Sequence, residues 1–201
     1  MSDNFFDKYD LYTEGDSAYC YPDSYVLINK LNIRDVATFK RAEAEISHAA
    51  LIELQLKPIS GNFDKAHLFA VHRFLFENFY DFAGKTRKED ISKGNTKFCV
   101  WLYIDEQLSE LFTKLKSRQV NFCDRDDVCS YLAYAMAELN IIHPFREGNG
   151  RAIREFIREY ALNLGYSLDW SKVEKVELLN AMIESVLNAT RLKNCLNKCL
   201  S

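Results

Sequence analysis

One short stretch of this chain concentrates the residue types that phosphate chemistry requires. Within residues 143–154, the residues that could take part in such chemistry are His143, Glu147, Gly148, Asn149, Gly150, Arg151 and Arg154. A histidine, with an ordinary pKa of about 6.5, suits the role of general base near neutral pH. A carboxylate can hold Mg²⁺, which prefers oxygen ligands and usually takes one or two carboxylates together with substrate phosphates. The stretch therefore predicts a site that holds a nucleotide's phosphates on a metal ion while a proton is removed nearby.

The glycines and arginines of this stretch suit a loop that opens into a helix. Gly148 and Gly150 allow backbone torsions that other residues avoid, and they let a ligand approach closely. Arg151 and Arg154 are three residues apart and share one face of the helix's first turn. Unpaired N–H groups and the helix dipole favour phosphate oxygens there, and Asn149 is a candidate to cap the helix or to donate to an oxygen.

The elements that must position these residues are two helices. Apolar residues recur at helical spacing before the stretch, at Val128, Leu132, Ala135, Leu139 and Ile142. Pro144 disfavours the α conformation at His143, so the first helix should end near Ile142. Helical spacing resumes at Ile153 and continues to Leu164. Residues 128–165 are therefore predicted to form a helix, a glycine-bearing loop and a second helix.

Each of these residues also has an ordinary structural interpretation. A histidine beside a proline is commonly a helix-end residue, and an arginine-rich helix face is commonly solvated. Glu155 and Glu159 could pair with such arginines. The joint occurrence of all the residues in one loop favours the functional interpretation. The other histidines, His48, His67 and His72, are not assigned to catalysis.

The stretch resembles the signature of Fic-domain proteins, which is His-x-Phe-x-Asp/Glu-Gly-Asn-Gly-Arg-x-x-Arg. Every fixed position is present, including Phe145. The segments Tyr19-Cys20-Tyr21-Pro22, Gly61-Asn62-Phe63-Asp64 and Asp90-Ile91-Ser92-Lys93-Gly94 also resemble bacterial Fic proteins called cell filamentation proteins. This resemblance implies that residues 1–201 form a single Fic domain, a helical bundle with one β-hairpin flap beside the active site.

The resemblance also implies an activity, since most characterised Fic proteins transfer AMP from ATP to a hydroxyl side chain of another protein. His143 would deprotonate the target hydroxyl, and Glu147 would hold Mg²⁺ against the α- and β-phosphates. Positioning and charge stabilisation are what such a transfer mainly needs.

Five further residues would bind the phosphates according to the same resemblance. The side chain of Asn149 and the backbone around Gly148 and Gly150 would form an anion hole. Arg151 and Arg154 would grip the β- and γ-phosphates.

A target-docking flap is expected over residues 86–101. Two extended runs, 86–91 and 96–101, flank Gly94-Asn95, a pair typical of a hairpin turn. In Fic proteins this hairpin pairs with the target segment as an added strand, here through Ile91, Ser92, Lys93 and Gly94. The lysines of this region also fit an edge hairpin that is protected from aggregation, and the two interpretations are compatible.

Regulation is expected to come from a separate protein. Fic enzymes are commonly inhibited by a helix that carries Ser/Thr-x-x-x-Glu-Gly/Asn, whose glutamate pairs with the second motif arginine, here Arg154. Glu is followed by Gly or Asn only at Glu14, Glu77 and Glu147, and no Ser or Thr lies four residues before any of them. The resemblance then implies the toxin of a toxin–antitoxin pair, inhibited by a small antitoxin. Relatives of this kind modify bacterial type II topoisomerases, the gyrase and topoisomerase IV ATPase subunits.

The rest of the chain predicts a mostly α architecture. Apolar residues at helical spacing indicate helices over 36–49, 68–79 and 108–115, and a last helix over 173–187. The hairpin is the only β element expected. Residues 1–30 lack clear periodicity and are predicted to form an irregular N-terminal arm.

Composition narrows the classes of protein. The chain has 201 residues, is 48% hydrophobic and carries a net charge of −3. That charge argues against direct nucleic-acid binding, which usually needs a basic surface. No apolar run approaches the roughly 20 residues of a membrane span, and Met1-Ser2-Asp3-Asn4 begins no signal-peptide pattern. The cysteines, at positions 20, 99, 123, 129, 195 and 199, show no metal-ligand spacing, so we expect reduced thiols and a cytoplasmic protein.

Three other functions remain open on sequence grounds. A Fic-type transferase could move a different phosphate-containing group, although the presence of Glu147 and Arg154 favours AMP. A non-catalytic module could bind nucleotide or antitoxin, although His143 is present. A metal-dependent phosphoester hydrolase would need more clustered ligands than Glu147 alone.

Overall fold

Seven α-helices make up most of the part of this protein that the structure describes. The computed structural model describes residues 10–11, 17–94, 96–118, 122 and 124–201. The helices are α1 (Val36–Leu56), α2 (Lys65–Phe76), α3 (Ile104–Arg118), α4 (Arg125–Ile142), α5 (Asn149–Asn163), α6 (Lys175–Glu184) and α7 (Thr190–Cys199). The predicted mostly α class is confirmed. No helix among the described residues is long and apolar enough to cross a bilayer.

Three of the helices begin at an aspartate that caps the first turn. The side chains of Asp35, Asp64 and Asp124 accept hydrogen bonds from the backbone N–H groups of Thr38, His67 and Asp127. Each bond satisfies a donor that the helix itself cannot pair. These caps fix the starts of α1, α2 and α4, the last of which leads into the motif loop.

The core is centred on α4, which packs against α3, α5 and α7. Leu132, Ala135, Met136 and Leu139 are completely buried along this helix. These three neighbouring helices hold α4 in place. After the motif loop, α5 packs against both α4 and α2. The loop between α4 and α5 is therefore anchored by two buried helices.

The C-terminal region differs from the sequence prediction. One last helix was expected over 173–187, but the chain forms α6 over Lys175–Glu184 and then α7 over Thr190–Cys199. Leu192, Cys195, Leu196 and Cys199 are buried on one face of α7. That spacing is helical, so the signal for α7 was present in the sequence. The thiols of both cysteines serve this packing.

A small antiparallel sheet holds three strands in the order β1 (Asp10–Leu11), β2 (Ile91–Lys93) and β3 (Thr96–Lys97). The predicted hairpin is thus much shorter than residues 86–101, because residues 86–90 and 98–100 follow loop paths set by long-range contacts described below. The register pairs Asp10 with Ser92 and Leu11 with Ile91. A third strand was not expected.

The predicted irregular N-terminal arm, residues 1–30, includes strand β1 at Asp10–Leu11, so the prediction is wrong for these two residues. Residues 17–35 contain no helix and no strand, only an isolated bridge between Cys20 and Leu27. Residues 1–9 and 12–16, including Met1–Asn4 and Glu14, lie outside the described residues, as do Asn95 and Cys123.

Candidate active site

His143 is the C-terminal cap of α4 and has an uncommon backbone conformation. Its φ of 49° and ψ of 62° lie in the left-handed region, which few non-glycine residues adopt. Pro144 explains the departure from the helix, because its ring disfavours the α conformation at the preceding residue. The predicted end of α4 at Ile142 is confirmed. The turn at His143 directs the chain away from α4 and into the motif loop.

The ring of His143 is held on two sides. Its Nδ1 lies 2.9 Å from the backbone oxygen of Asn140, and its face stacks on Phe98, with the ring centroids 3.7 Å apart. Since a carbonyl oxygen can only accept, Nδ1 carries the proton, and Nε2 carries the lone pair. The pKa of His143 is lowered to about 3, mainly by burial and in part by the positive charges of Arg87 and Lys93. The ring is therefore neutral at physiological pH.

Arg87 fixes the backbone of His143 from the flap side. This buried guanidinium donates from Nε to the backbone oxygen of His143 at 2.8 Å. Its η nitrogens donate to the backbone oxygens of Glu89 and Cys99. The backbone N–H of Arg87 donates to the oxygen of Pro144. One side chain thus ties the flap to the end of α4, and it replaces regular strand pairing over residues 86–90.

Asn149 holds the motif loop closed. Its side-chain oxygen accepts from the N–H of Phe145 at 2.9 Å, and its side-chain nitrogen donates to the backbone oxygen of Phe145 at 2.7 Å. The residue is fully buried. Both polar atoms of the amide bond within the loop, so the side chain does not cap α5, which was one of its two predicted roles. The N-cap of α5 is Gly148, which has no side chain to bond.

His72 of α2 supports the motif loop through hydrogen bonds to its backbone, a role that the sequence did not indicate. Gly84 N–H donates to its Nδ1 at 2.9 Å, so its Nε2 carries the proton and donates to the oxygen of Glu147, also at 2.9 Å. The ring stacks on Phe145 with centroids 3.7 Å apart. Burial lowers the pKa of His72 to about 3. A neutral histidine thus fixes the orientation of the Glu147 peptide.

The carboxylate of Glu147 lies at the start of α5, where a metal ion would be held. Its Oε1 accepts from the N–H of Gly148 at 2.7 Å and lies 3.7 Å from an η nitrogen of Arg151. Burial raises the pKa of Glu147, and Arg151 opposes that effect.

No group of three or more His, Cys, Asp and Glu among the described residues could hold a metal by itself. One carboxylate fits Mg²⁺, because this ion usually shares its remaining ligand positions between water and substrate phosphates.

Arg151 is held by a residue from α1. Its two η nitrogens bind the two carboxylate oxygens of Glu43 at 2.7 and 2.5 Å, and one of them also donates to the hydroxyl of Ser47 at 2.7 Å. Its guanidinium lies 4.7 Å from the ring centre of Phe76. This bidentate pair leaves the Nε hydrogen and one η hydrogen of Arg151 for other acceptors. Sequence spacing could not reveal Glu43, which lies on α1.

Close packing requires glycine at position 148 and leaves little space beside Gly150. A Cβ on Gly148 would lie 2.3 Å from ring atoms of Phe76, and its φ of +78° is strained for any other residue. A Cβ on Gly150 would lie 3.2 Å from an η nitrogen of Arg154. The side chain of Arg154 therefore lies over Gly150, at the first turn of α5.

A second arginine, Arg146 of the motif loop, also connects this loop to the flap. Arg146 donates from Nε to the carboxylate of Glu89 at 2.5 Å, and the hydroxyl of Ser17 donates to the same carboxylate. Strand β2, which carries three of the four predicted docking residues, lies between β1 and β3. Both of its edges are thus paired within the chain.

The structure brings together the predicted residues of one loop and leaves others apart. The motif loop and the first two turns of α5 carry His143, Glu147, Gly148, Gly150, Arg151 and Arg154. Phe98, which stacks on His143, donates its N–H to the backbone oxygen of Ile91 in β2. Arg158 pairs with Glu155, whereas Glu159 binds the buried His67 at 2.7 Å. These last contacts belong to the core.

Comparison with known proteins identifies the family. A model of the Fic/DOC family matches residues 62–161. "Protein adenylyltransferase VbhT" of Bartonella schoenbuchensis is 38% identical over 92% of this chain, which spans only 39% of that protein. "Probable protein adenylyltransferase Fic" of Escherichia coli is 32% identical over 83% of this chain and 82% of its own length. The predicted enzyme class, nucleotidyltransferase, agrees with these names.

A solved structure shares the fold. The N-terminal Fic domain of a VirB-translocated Bep effector protein from Bartonella quintana, with bound ADP, superposes with a TM-score of 0.83. It is 25% identical and covers 91% of this chain and 94% of its own. The predicted Fic fold is confirmed. The family match, the coverage of the E. coli relative and the shared fold show that this chain belongs to the Fic/DOC family.

Proposed function

We propose that this protein is a protein adenylyltransferase, which transfers AMP from ATP to a hydroxyl side chain of a target protein. The observation that carries the proposal is the state of His143. Its Nδ1 is committed to the oxygen of Asn140, so the lone pair lies on Nε2. A neutral imidazole in a fixed orientation, on the same loop as Glu147 and Arg151, suits a general base that acts beside a bound polyphosphate.

The reaction exchanges one bond at the α-phosphorus for another. His143 Nε2 takes the proton of the target hydroxyl, and the hydroxyl oxygen forms a bond to the α-phosphorus of ATP. The bond from that phosphorus to the α–β bridging oxygen breaks, and pyrophosphate leaves with the electron pair. The imidazolium formed at His143 is stabilised by its hydrogen bond to Asn140, because that carbonyl accepts from the charged ring as well.

The phosphate-binding residues follow from the start of α5. Arg151 and Arg154 supply positive charge, and the first turn of α5 supplies N–H groups around Gly148 and Gly150. Glu147 would hold Mg²⁺, which would neutralise charge on the phosphates. Asn149 acts through the shape of the loop. The relative from Bartonella quintana binds ADP, and this supports an adenine nucleotide as the ligand.

Target docking is proposed at Ile91, Ser92, Lys93 and Gly94. A target strand would pair with β2 in place of β1, whose two residues make only a short ladder. Removal of residues 1–11 should therefore increase target labelling. Unchanged or reduced labelling in the shortened protein, with ATP binding intact, would contradict docking at this edge.

We further propose a single Fic domain that acts as the toxin of a toxin–antitoxin pair in the cytoplasm. Support comes from the sequence, in which no Ser/Thr-x-x-x-Glu-Gly/Asn segment occurs. A separate antitoxin would supply the inhibitory helix, and the gyrase and topoisomerase IV ATPase subunits are the proposed targets. Strong inhibition of the isolated chain would contradict the antitoxin proposal.

The test is transfer of label from α-labelled ATP with Mg²⁺ in bacterial lysate supplemented with gyrase. The wild-type chain should label a protein band, and His143→Ala should not. His48→Ala, an exposed change on α1, is the matched control and should retain labelling. Label from γ-labelled ATP alone would indicate phosphate transfer. ATP binding without any labelling would indicate a non-catalytic module.

A further inference from the structure

Four consecutive apolar residues are exposed where the flap leads into α3. The exposed fractions are 44% for Val100, 37% for Trp101, 64% for Leu102 and 55% for Tyr103. Residues 100–103 are called the apolar run below. Folded proteins avoid consecutive exposed apolar side chains unless these bind a partner, because the free surface is unfavourable in water and promotes aggregation. The apolar run therefore indicates a surface that a partner covers.

The backbone of the apolar run is held at both ends. The N–H of Trp101 donates to the carboxylate of Asp90 at 2.8 Å. Just before the run, the N–H of Cys99 donates to the backbone oxygen of Ile141 in α4 at 3.0 Å. Ile104, which follows the run, is completely buried. Because the backbone is fixed in this way, the exposed side chains need little ordering when a partner binds.

The apolar run begins close to the candidate base, His143. One guanidinium, that of Arg87, donates to the backbone oxygens of His143 and Cys99 at 2.8 and 2.5 Å. These two oxygens are therefore no more than about 8 Å apart. Trp101 follows Cys99 by two residues, which add at most about 7 Å of chain. An ordinary protein–protein interface covers about 800 Å² of each partner and is thus about 30 Å across. A protein that brings a hydroxyl to His143 can therefore also contact the apolar run.

The flap beside the apolar run is basic. Residues 85–97 carry five basic side chains, at 85, 87, 88, 93 and 97, and two acidic ones, at 89 and 90. Lys85, Lys88 and Lys97 are exposed. An apolar run next to exposed lysines is complementary to a protein surface that has an apolar centre and acidic side chains at its edge.

We propose that the apolar run is a second docking surface for the folded target protein, in addition to β2. This inference rests on the proposed function, since it assumes transfer of AMP to another protein. Pairing with β2 uses main-chain hydrogen bonds and distinguishes little among target sequences. Trp and Tyr are among the residues that contribute most to interface affinity, and their side chains require a complementary surface. The apolar run therefore selects the target, while β2 aligns the segment that carries the hydroxyl.

The decisive variant is Leu102→Ser, which replaces the most exposed side chain of the apolar run with a polar one. Labelling from α-labelled ATP with Mg²⁺ is followed in a dilution series of bacterial lysate supplemented with gyrase, on the band that the wild type labels. At low lysate concentration the initial rate should fall by about tenfold or more, as is typical for loss of a central interface side chain. The unfolding temperature, and the affinity for Mg²⁺–ATP measured by calorimetry, should not change.

Two further variants separate apolar contact at this surface from other effects. Leu102→Met retains an apolar side chain of similar size and should label at the wild-type rate. Leu187→Ser makes the same polar change at a residue that lies between α6 and α7 and is 95% exposed. It should also label at the wild-type rate.

Four results would overturn the inference. Equal rates for Leu102→Ser and the wild type would exclude the apolar run as a docking surface and leave the proposed function intact. An equal loss of rate in Leu187→Ser would show that the effect does not belong to the apolar run. Unchanged labelling by Leu102→Ser, with a change from dimer to monomer in size-exclusion chromatography, would assign the run to contact between two copies of this chain. Absence of any labelled band with the wild type would remove the proposed function and this inference together.

Discussion

The carboxylate of Glu43 on α1 binds the guanidinium of Arg151 on α5 through both of its oxygens. The pair joins the first helix to the first turn of the helix that follows the motif. It fixes the guanidinium in one plane and leaves two of its hydrogens for a ligand. We interpret Glu43 as the residue that positions Arg151 for phosphate binding, since a free arginine side chain would lose rotamer entropy on binding.

Glu43→Gln should raise the KM for ATP by about tenfold, because the neutral amide bonds only one η nitrogen and leaves Arg151 less ordered. The free energy of unfolding should fall by about 1 kcal/mol, a modest loss because the Arg151 side chain is partly solvated. Initial rates at varied ATP concentration and urea unfolding measure the two effects. Glu45→Gln, at an exposed position of the same helix, is the control. A lower KM for Glu43→Gln would show instead that Glu43 competes with phosphate for Arg151.

Gly148→Ala should prevent the motif loop from closing. The new methyl group would overlap the ring of Phe76, and the alanine would have to adopt a backbone φ of +78°. We expect a loss of about 3 kcal/mol or more in the free energy of unfolding, together with loss of nucleotide binding.

Gly165→Ala separates strain from overlap. Gly165 has a similar φ of +86°, but no atom lies within 4 Å of the position its Cβ would take. That variant should lose only about 1 kcal/mol and retain nucleotide binding. Thermal unfolding and calorimetry distinguish the two variants. Equal losses would mean that backbone strain alone, rather than contact with Phe76, makes Gly148 necessary.

Sequence reasoning found the motif residues because their types and spacing are local. The ends of α4 and α5 were also predictable, since Pro144 and the apolar spacing act within one turn. The capping role considered for Asn149 was wrong because its side chain bonds to Phe145 in the same loop, and only the loop's path brings their polar atoms together. The helix α7 was missed although its buried residues have helical spacing.

The supporting residues could not be predicted for a different reason. The three residues Glu43, His72 and Arg87 come from α1, from α2 and from the flap. Each reaches the motif loop or the start of α5 through tertiary packing. No local pattern distinguishes a buried arginine such as Arg87 from the solvated ones nearby. The contacts become visible only when the helices are assembled.

The buried histidine His72 should make stability depend on pH. Its pKa is about 3 in the folded chain and about 6.5 when unfolded. Between these values the unfolded chain binds a proton that the folded chain does not. The free energy of unfolding should therefore fall as pH decreases below about 6.5, with a slope of up to about 1.4 kcal/mol per pH unit from this residue. Above that pH the contribution is constant.

His72→Gln removes this contribution. The variant should be less stable than the wild type at neutral pH because the bonds to Gly84 and Glu147 are weakened. Its stability should nevertheless decline less steeply with acid, as measured by urea unfolding between about pH 7 and pH 5. His48→Gln on the exposed face of α1 controls for loss of a histidine by itself. An unchanged slope in His72→Gln would mean that His72 is protonated in the folded chain.

The basicity of His143 should change when a nucleotide binds. In the ligand-free chain its pKa is lowered to about 3, mainly by burial and in part by the positive charges of Arg87 and Lys93. Such a ring is always in the unprotonated form that a general base requires, but it is a weak base. A polyphosphate bound beside it would bring negative charge that favours the imidazolium, so the pKa should rise by about one unit or more. The nucleotide would thereby strengthen the base that acts on the target hydroxyl.

Titration of ¹⁵N-labelled histidine by NMR measures the pKa shift of His143, and His143→Ala assigns its signal. The ligand is ADP, which cannot donate AMP through loss of pyrophosphate. Adenosine should bind without changing the pKa because it carries no phosphate. An equal pKa with and without bound ADP would show that the phosphates lie too far from His143 for the proposed proton transfer.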